Sequence, residues 1–255
     1  MIDHLSASQI NLYLQCPLKY RFQYVDQIPK PFKPSGLVFG SVIHSALEWF
    51  HKERLKGNGV SLEKLFKIFE TDWYCQKVET IIRFKESGTE TKLLVMGKEL
   101  LGIYFRSPLN KIKGAEVPFL VPLLNPDNGK ELEVPIEGII DLIEEDDVVV
   151  EFKTSSATMD PQSLSDHLQL TVYSYAYKHL FGKEARLLRI INLVKSRTPK
   201  MAILETSRGK KDYERLFNLT TEVLRGIKSG HFYPKGSWMC KECEYETNCQ
   251  RWQSN

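Results

Sequence analysis

Two short apolar runs near the middle of the chain have the pattern of neighbouring β-strands. One run extends from Ile139 to Ile143 and the other from Val148 to Phe152, and an acidic segment separates them. Their β-branched residues and the charged cluster between them predict two strands joined by a turn. Helical periods precede and follow this pair, so we expect helices on both sides of it in the sequence.

The remaining hydrophobic positions alternate between helical and strand periods. Spacings of three and four residues predict helices, and apolar runs between turn residues predict strands. A capping-box pattern at Ser6 marks one helix start, Pro17 ends or kinks that helix, and Asp160-Pro161 marks a later start. The predicted helices cover residues 6–16, 36–51, parts of 61–107, a segment from 160 onward and 211–228, and the further predicted strands cover 116–123, 131–136, 187–194 and 201–205.

The composition is that of an ordinary globular protein. The chain has 255 residues, of which 42% are hydrophobic and 26% charged, and its net charge of +3 does not by itself indicate nucleic-acid binding. No apolar run approaches the roughly 20 residues that span a bilayer. The N-terminus also lacks the basic and apolar regions of a signal peptide. We therefore expect a cytoplasmic protein with no membrane partner.

Three charged side chains lie where buried strands should have none. Asp141 is inside the first strand, and Glu151 and Lys153 end the second on one face. A carboxylate in an apolar strand is unfavourable unless it is paired, hydrogen-bonded or bound to a metal. These residues therefore fit either a salt bridge at a strand end or a divalent-cation site assisted by a lysine. The two carboxylates converge only across an odd-numbered turn, at a bulge or where the strands splay.

The order of Asp141 and then Glu151-Phe152-Lys153 resembles the active-site core of the PD-(D/E)XK nuclease superfamily. In that superfamily a metal-binding aspartate ends one strand, and Glu-x-Lys ends its neighbour. The chain has Ile140 where the family pattern has proline, a departure that the RecB-like branch tolerates. The resemblance therefore favours the metal site over the simple salt bridge.

Two further segments extend the resemblance to RecB-like nucleases. Gly40-x-x-x-His44 matches the glycine-rich helix start whose histidine binds metal in that branch, whereas alone His44 would be an ordinary packed or exposed residue. Gln169 and Tyr173 share a helix face and match the Q-x-x-x-Y element that is associated with the active site and the DNA. Glu116 matches a frequent glutamate near the metals, although a surface charge at a strand edge explains it equally well.

The cysteines near the end of the chain have the spacing of a metal site. Cys240, Cys243 and Cys249 supply three sulfur ligands, and a closed site needs a fourth. The segment that begins Cys16-Pro-Leu-Lys-Tyr-Arg-Phe resembles the start of RecB-like nuclease domains with an iron–sulfur cluster. The resemblance thus implies a [4Fe–4S] cluster of the AddB-type and CRISPR-associated kind, while zinc would use the same ligands. We expect Cys75, within a predicted helix, to be a buried free thiol.

The resemblance runs along nearly the whole chain and implies its fold. That fold is α/β, with a central mixed β-sheet flanked by helices as in a restriction-endonuclease-like core, a helical insertion, and a terminal region held together by the cluster. We expect one domain over residues 1–255. Its implied segments are cluster-binding termini at 1–35 and 231–255, a helical segment with His44 at 36–112, and the nuclease core at 113–230.

The resemblance also implies hydrolysis of DNA phosphodiester bonds with Mg²⁺ or Mn²⁺. Lys153 would orient the attacking water or stabilise developing charge, and Gln169 and Tyr173 would position the DNA strand. The implied metal ligands are His44, Asp141, Glu151 and the Phe152 carbonyl.

The expected activity is that of a single-stranded DNA exonuclease in repair, recombination or CRISPR adaptation. The chain has no G-x-x-x-x-G-K-[ST] sequence, so we expect any helicase activity to come from a partner, and CRISPR adaptation proteins are a second class of expected partner. A structure-specific endonuclease is an alternative. So is a DNA-binding or scaffolding subunit with a dead nuclease fold, although intact Asp141, Glu151 and Lys153 argue against it.

Overall fold

The computed structural model describes residues 2–84 and 89–254. The chain divides into two compact units, each assembled from separate segments. Within the described residues, no helix is long and apolar enough to cross a membrane. A single domain over residues 1–255 stays a prediction. The first unit comprises Met1–Pro31, Phe119–Gly138 and Arg208–Asn255, and the second comprises Phe32–Pro118 and Ile139–Ser207.

Helices and strands alternate along much of the chain. The α-helices are α1 (Ala7–Gln15), α2 (Pro17–Tyr20), α3 (Ser35–Leu55), α4 (Leu62–Glu79), α5 (Glu90–Arg106), α6 (Leu168–Phe181), α7 (Lys210–Lys228) and α8 (Glu246–Gln253). The strands are β1 (Lys33–Pro34), β2 (Ile82–Arg83), β3 (Ile112–Val121), β4 (Ile136–Glu144), β5 (Val148–Ser155), β6 (Leu187–Val194) and β7 (Lys200–Thr206). A π-helical turn occupies Arg21–Val25, and 3-10 turns occupy Glu145–Asp147, Pro161–Leu164 and Trp238–Glu242.

A five-stranded mixed sheet forms the centre of this α/β architecture, in the order β3-β4-β5-β6-β7. The β4–β5 and β6–β7 pairs are antiparallel, whereas β5 and β6 are parallel. Parallel neighbours need a crossover connection, and α6 lies within the one between β5 and β6. The predicted α/β fold with a helix-flanked mixed sheet is confirmed.

Helices α3, α4 and α5 cover the sheet face that carries Phe152. Their apolar stripes place Ile43, Phe69 and Leu100 in the same buried core as that ring. A Cβ atom built on Gly97 of α5 would lie 2.1 Å from the ring of Phe69, so this glycine allows α4 and α5 to approach closely. The helical segment predicted before the nuclease core is therefore packed directly on the central sheet.

The long helix predicted from Asp160 begins later than expected. Its N-cap signal is used by the 3-10 turn, where the Asp160 carboxylate accepts from the Gln162 N–H at 2.9 Å. The hydroxyls of Ser163 and Ser165 then donate to nearby backbone carbonyls at 2.6 and 2.9 Å, contacts that compete with a continuing helix. Helix α6 starts only at Leu168.

The strand predicted over residues 131–136 is largely absent from the described fold. Glu131 makes an isolated bridge with Leu124, and β4 begins at Ile136. Pro135 has no N–H to donate, and its carbonyl instead accepts from the backbone N–H of Leu5 at 3.0 Å. This segment is therefore fixed by the N-terminal residues of the first unit rather than by a full strand partner.

The first unit joins the two ends of the chain by direct contacts. The predicted capping box at Ser6 is present at the start of α1. The Tyr13 hydroxyl donates to the His231 carbonyl at 2.9 Å, and the Leu18 N–H donates to the Tyr233 carbonyl at 3.0 Å.

Candidate active site

The turn between β4 and β5 sets the faces on which the two carboxylates lie. It contains three residues, Glu145–Asp147, and pairs Leu142 with Val150. An odd turn of this kind puts Asp141 and Glu151 on one side of the sheet. The sequence required an odd-numbered turn, a bulge or splayed strands for the two carboxylates to converge, and the three-residue turn meets this requirement.

The Asp141 carboxylate is buried and held by three neighbours in the second unit. Its Oδ2 atom accepts a hydrogen bond from the Phe152 backbone N–H at 2.9 Å, and its Oδ1 atom accepts from the Tyr173 hydroxyl at 3.1 Å. The Nδ1 atom of His44 lies 3.4 Å from Oδ2. Helix α3, helix α6 and strand β5 thus each bring one predicted site residue to this carboxylate.

The Glu151 side chain is completely buried beside Lys153 and Gln169. Its Oε2 atom accepts from the Gln169 side-chain amide at 3.0 Å, and Lys153 forms an ion pair with Oε1. Lys153 Nζ also donates to the Gln169 carbonyl oxygen at 2.6 Å, and the Gln169 amide donates to the Tyr173 hydroxyl at 2.9 Å. Gln169 therefore joins Glu151 and Lys153 of β5 to α6, and Tyr173 joins α6 to Asp141 of β4.

The ion pair does not satisfy the Glu151 carboxylate fully. Among the described residues, its Oε1 atom has no partner in hydrogen-bond geometry. Burial raises the pKa of Glu151, the nearby Asp141 carboxylate raises it further, and Lys153 opposes both. A bound cation would stabilise the charged form of a buried carboxylate whose oxygen lacks a hydrogen-bond partner.

The other groups near Asp141 have protonation states that suit a metal site. Burial lowers the pKa of His44, while Asp141 raises it and Lys153 lowers it, and a backbone hydrogen bond joins the ring to Phe152. Burial, with Glu151 and Asp141, raises the pKa of Tyr173 far above its ordinary value, so its hydroxyl remains a donor. A neutral imidazole is a metal ligand, whereas an imidazolium is not.

The ligand types at this site fit a hard divalent ion, with two carboxylates and one imidazole. As the side chains are now placed, no group of three or more His, Cys, Asp or Glu residues within 2–84 and 89–254 is arranged to hold a metal ion. Protein donors occupy most of the carboxylate oxygens instead. Metal binding would replace some of these contacts.

Glu116 adds a further carboxyl group near Asp141, and Glu48 in turn lies close enough to Glu116 to act on it. Glu116 lies in β3 with a φ of 51°, an unusual backbone conformation for this residue type. Burial raises its pKa to about 7, with Asp141 and Glu48 contributing in the same direction. Sequence reasoning missed Glu48, although its position four residues after His44 on one helix was an available signal.

The four predicted cluster ligands lie together in the first unit. Cys16, Cys240, Cys243 and Cys249 line one cavity of about 260 Å³, and all four are free thiols. Burial raises the pKa of Cys249, and the three other cysteines raise it further. The four cysteines thus share one cavity, although no three of them, among the described residues, are arranged to hold a metal ion.

The fifth cysteine lies in the second unit and is not buried as predicted. Cys75 is exposed on α4. The helix buries Leu65, Phe69 and Trp73, which recur every four residues along one face. Cys75 lies two positions after Trp73 and so points away from that face.

Comparison with known proteins identifies relatives of this chain at the level of family and fold. The family model described as the PD-(D/E)XK nuclease superfamily matches residues 4–250. None of the curated proteins matches the sequence.

Solved structures with a similar fold include two proteins of low sequence identity to this chain. The crystal structure of a protein named "Putative exonuclease" from Eubacterium rectale has a TM-score of 0.62 and 13% identity, and it covers 98% of this chain and 88% of that one. At this identity the match supports the fold alone. A protein named SSO0001 is 15% identical over 98% of this chain and 86% of that one, with a TM-score of 0.49 that carries no argument.

Proposed function

Because the chain belongs to the PD-(D/E)XK nuclease superfamily, we propose that it is a metal-dependent deoxyribonuclease that degrades single-stranded DNA from an end. The superfamily supports nuclease activity on DNA, and the strand preference and end requirement are our proposal. One observation carries it: a continuous set of contacts links Lys153, Gln169, Glu151, Tyr173 and Asp141. Intact Asp141, Glu151 and Lys153 within this arrangement favour an active nuclease over a subunit with a dead nuclease fold.

We assign the metal ligands to four groups around the β4–β5 pair. His44, Asp141, Glu151 and the Phe152 carbonyl would hold one or two ions. Oxygen ligands suit Mg²⁺ and Mn²⁺, and the imidazole favours Mn²⁺. The bound metal would supply an activated water and offset charge on the phosphate.

The remaining side chains are assigned to positioning and charge stabilisation. Lys153 already lies beside Glu151 and would orient the attacking water or stabilise charge that develops on the phosphate. Gln169 fixes the lysine and the glutamate relative to each other, and Tyr173 holds one oxygen of Asp141. Gln169 and Tyr173 would also contact the DNA strand, because both are residues of α6 that lie beside the two carboxylates.

We propose a [4Fe–4S] cluster at Cys16, Cys240, Cys243 and Cys249. The shared cavity and the mix of one N-terminal and three C-terminal ligands support a four-sulfur site, and the same cysteines would accept zinc. The choice of iron–sulfur rests on the family resemblance. A helicase or CRISPR adaptation proteins as partners rest on the same resemblance, and a cytoplasmic location stays the prediction made from the sequence.

Incubation with end-labelled linear and with circular single-stranded DNA tests the activity. With Mn²⁺ or Mg²⁺, we expect the linear strand to be shortened progressively and the circle to stay intact, and a chelator should stop the reaction. Asp141→Asn should abolish cleavage. Asp146→Asn, in the exposed turn of the same hairpin, is the matched control and should cut normally.

Two results would contradict this proposal. Cleavage of the circle would favour the endonuclease alternative, which the same catalytic groups would also serve. Metal-independent DNA binding with no cleavage of any strand would favour the scaffolding alternative.

A further inference from the structure

A buried asparagine lies beside the proposed catalytic lysine on the neighbouring strand. Asn192 of β6 is in register with Lys153 of β5. Partners in register on adjacent strands point to the same face, about 4.8 Å apart along the hydrogen-bonding direction. The side chain of Asn192 is completely buried. It therefore shares the face of the sheet that carries Glu151 and Lys153.

Two acceptor oxygens lie within hydrogen-bond distance of the Ser155 hydroxyl group, which has only one proton to donate. Its hydroxyl oxygen lies 2.6 Å from the Ala157 carbonyl oxygen and 2.7 Å from the Asn192 side-chain oxygen. A serine hydroxyl carries a single proton and cannot donate to both acceptors at full strength. In the described part of the chain, the amide nitrogen of Asn192 has no hydrogen-bond partner.

Exchanging the oxygen and nitrogen of the Asn192 amide removes the conflict at Ser155. The two atoms differ little in shape, and their assignment follows from the surrounding hydrogen bonds. After the exchange, the amide nitrogen donates to the Ser155 hydroxyl oxygen, and the hydroxyl proton goes to Ala157. The atom without a partner is then the amide oxygen. A buried acceptor left unpaired is unfavourable, so a nearby donor is required.

Lys153 has the donor that this oxygen needs. An ammonium group carries three N–H donors, and Lys153 directs one to Gln169 and one toward Glu151. The other positions of β6 on this face, Leu188, Ile190 and Val194, are apolar and buried. Lys153 is thus the register partner of Asn192 and carries a further N–H.

We propose that Asn192 is a positioning residue for Lys153, whose ammonium group donates to the Asn192 amide oxygen while Ser155 fixes the amide. The inference rests on the proposed function and deepens it. If Glu151 bound a metal ion, Lys153 would share its carboxylate partner with that ion. Asn192 would then keep the Lys153 ammonium on the catalytic face.

Two substitutions of Asn192 by residues of similar size test the oxygen acceptor and the nitrogen donor of its amide separately. Asn192→Leu removes both polar atoms, and Asn192→Asp keeps acceptor oxygens and removes the amide donor. Residues that hold the side chains of a metal site in place usually contribute about 10–100-fold to activity. Asn192→Leu should therefore lower the single-turnover cleavage rate by about 10–100-fold. The dissociation constant of Asn192→Leu for DNA, measured without metal, should equal that of the wild type. Asn192→Asp should keep most of the wild-type cleavage rate.

Ile190→Val is the matched control, because it changes a buried side chain on the same face and strand. It should cut at the wild-type rate at any temperature where it is folded. A wild-type rate for Asn192→Leu would overturn the proposal. Equal loss in Asn192→Leu and Asn192→Asp would show that the amide donor is the atom in use, which would overturn the assignment to Lys153.

A measurement without cleavage separates this inference from the proposed function. The side-chain carbonyl carbon and amide nitrogen of Asn192 can be followed by NMR in isotope-labelled protein. Lys153→Met should shift both resonances, and Lys52→Met, which removes a lysine on α3, should leave them in place. Unchanged Asn192 resonances in Lys153→Met would refute the contact even if the protein cuts DNA. A shift in a protein that cuts no DNA would support the contact while the proposed function fails.

Discussion

The buried imidazole of His51 should make the stability of the fold depend on pH. Its Nε2 atom lies 2.8 Å from the Tyr104 hydroxyl, and its Nδ1 atom lies 3.3 Å from the Arg54 guanidinium. A guanidinium can only donate, so Nδ1 is the acceptor and the ring proton is on Nε2. Burial, and secondly Arg54, lower the pKa of His51 to about 3. Protonation would place two cations side by side in the core.

The size of the effect follows from the difference between the folded and unfolded pKa values. A histidine that is neutral in the fold contributes stability above its unfolded pKa of about 6.5 and loses it at lower pH. Here the loss begins near that value and continues down to the folded pKa of about 3. Between about pH 8 and pH 5, one such group reduces the free energy of unfolding by about 2 kcal/mol.

Urea unfolding at these two pH values measures the contribution. The wild-type protein should lose about 2 kcal/mol more between them than His51→Phe, whose ring stays neutral throughout. His231→Gln removes an exposed histidine and should keep the wild-type pH dependence. If His51→Phe loses as much stability as the wild type, His51 titrates normally in the fold, and the reasoning from burial is wrong.

Three further predictions concern the metal site, the cysteines and the helix packing. Saturation with Mn²⁺ at a hundred times its dissociation constant should stabilise the wild type by about 2.7 kcal/mol, measured by urea unfolding, and should not stabilise Asp141→Asn. Anaerobically purified protein should be brown, and Cys16→Ala should remove the visible absorbance and lower the melting temperature, whereas Cys75→Ala should do neither. Gly97→Ala should destabilise the protein by about 1–3 kcal/mol in urea because the new methyl meets the α4 ring, while Gly36→Ala, which meets nothing within 4 Å, should not.

The local parts of the site could be predicted from the sequence. Asp141, Glu151 and Lys153 stand out because each interrupts an apolar strand, and the family order then adds His44 and Tyr173. The strands and helices that carry them also have strong periods. Each of these signals lies within a few residues of the side chain that it marks, so it needs no knowledge of the packing.

The parts that depend on pairing between distant segments could not be predicted. Asn192 gains its place beside Lys153 only through the register of β5 and β6. The family pattern indicates Glu116 itself, whereas its unusual backbone conformation in β3 is not indicated by its neighbours in the sequence. The start of α6 was misplaced because serine hydroxyls compete with the helix after Asp160.

The first unit has a consequence for the order of events during synthesis. Lys19, which is part of the N-terminal cysteine segment, binds Glu244 at 2.6 Å across a separation of 225 residues. At 5–20 residues per second, the ribosome needs roughly 10 to 45 seconds to bridge that distance. Throughout this interval Cys16 is synthesised but Cys240, Cys243 and Cys249 are not. Any cofactor that needs all four cysteines can therefore bind only after nearly the whole chain has been made.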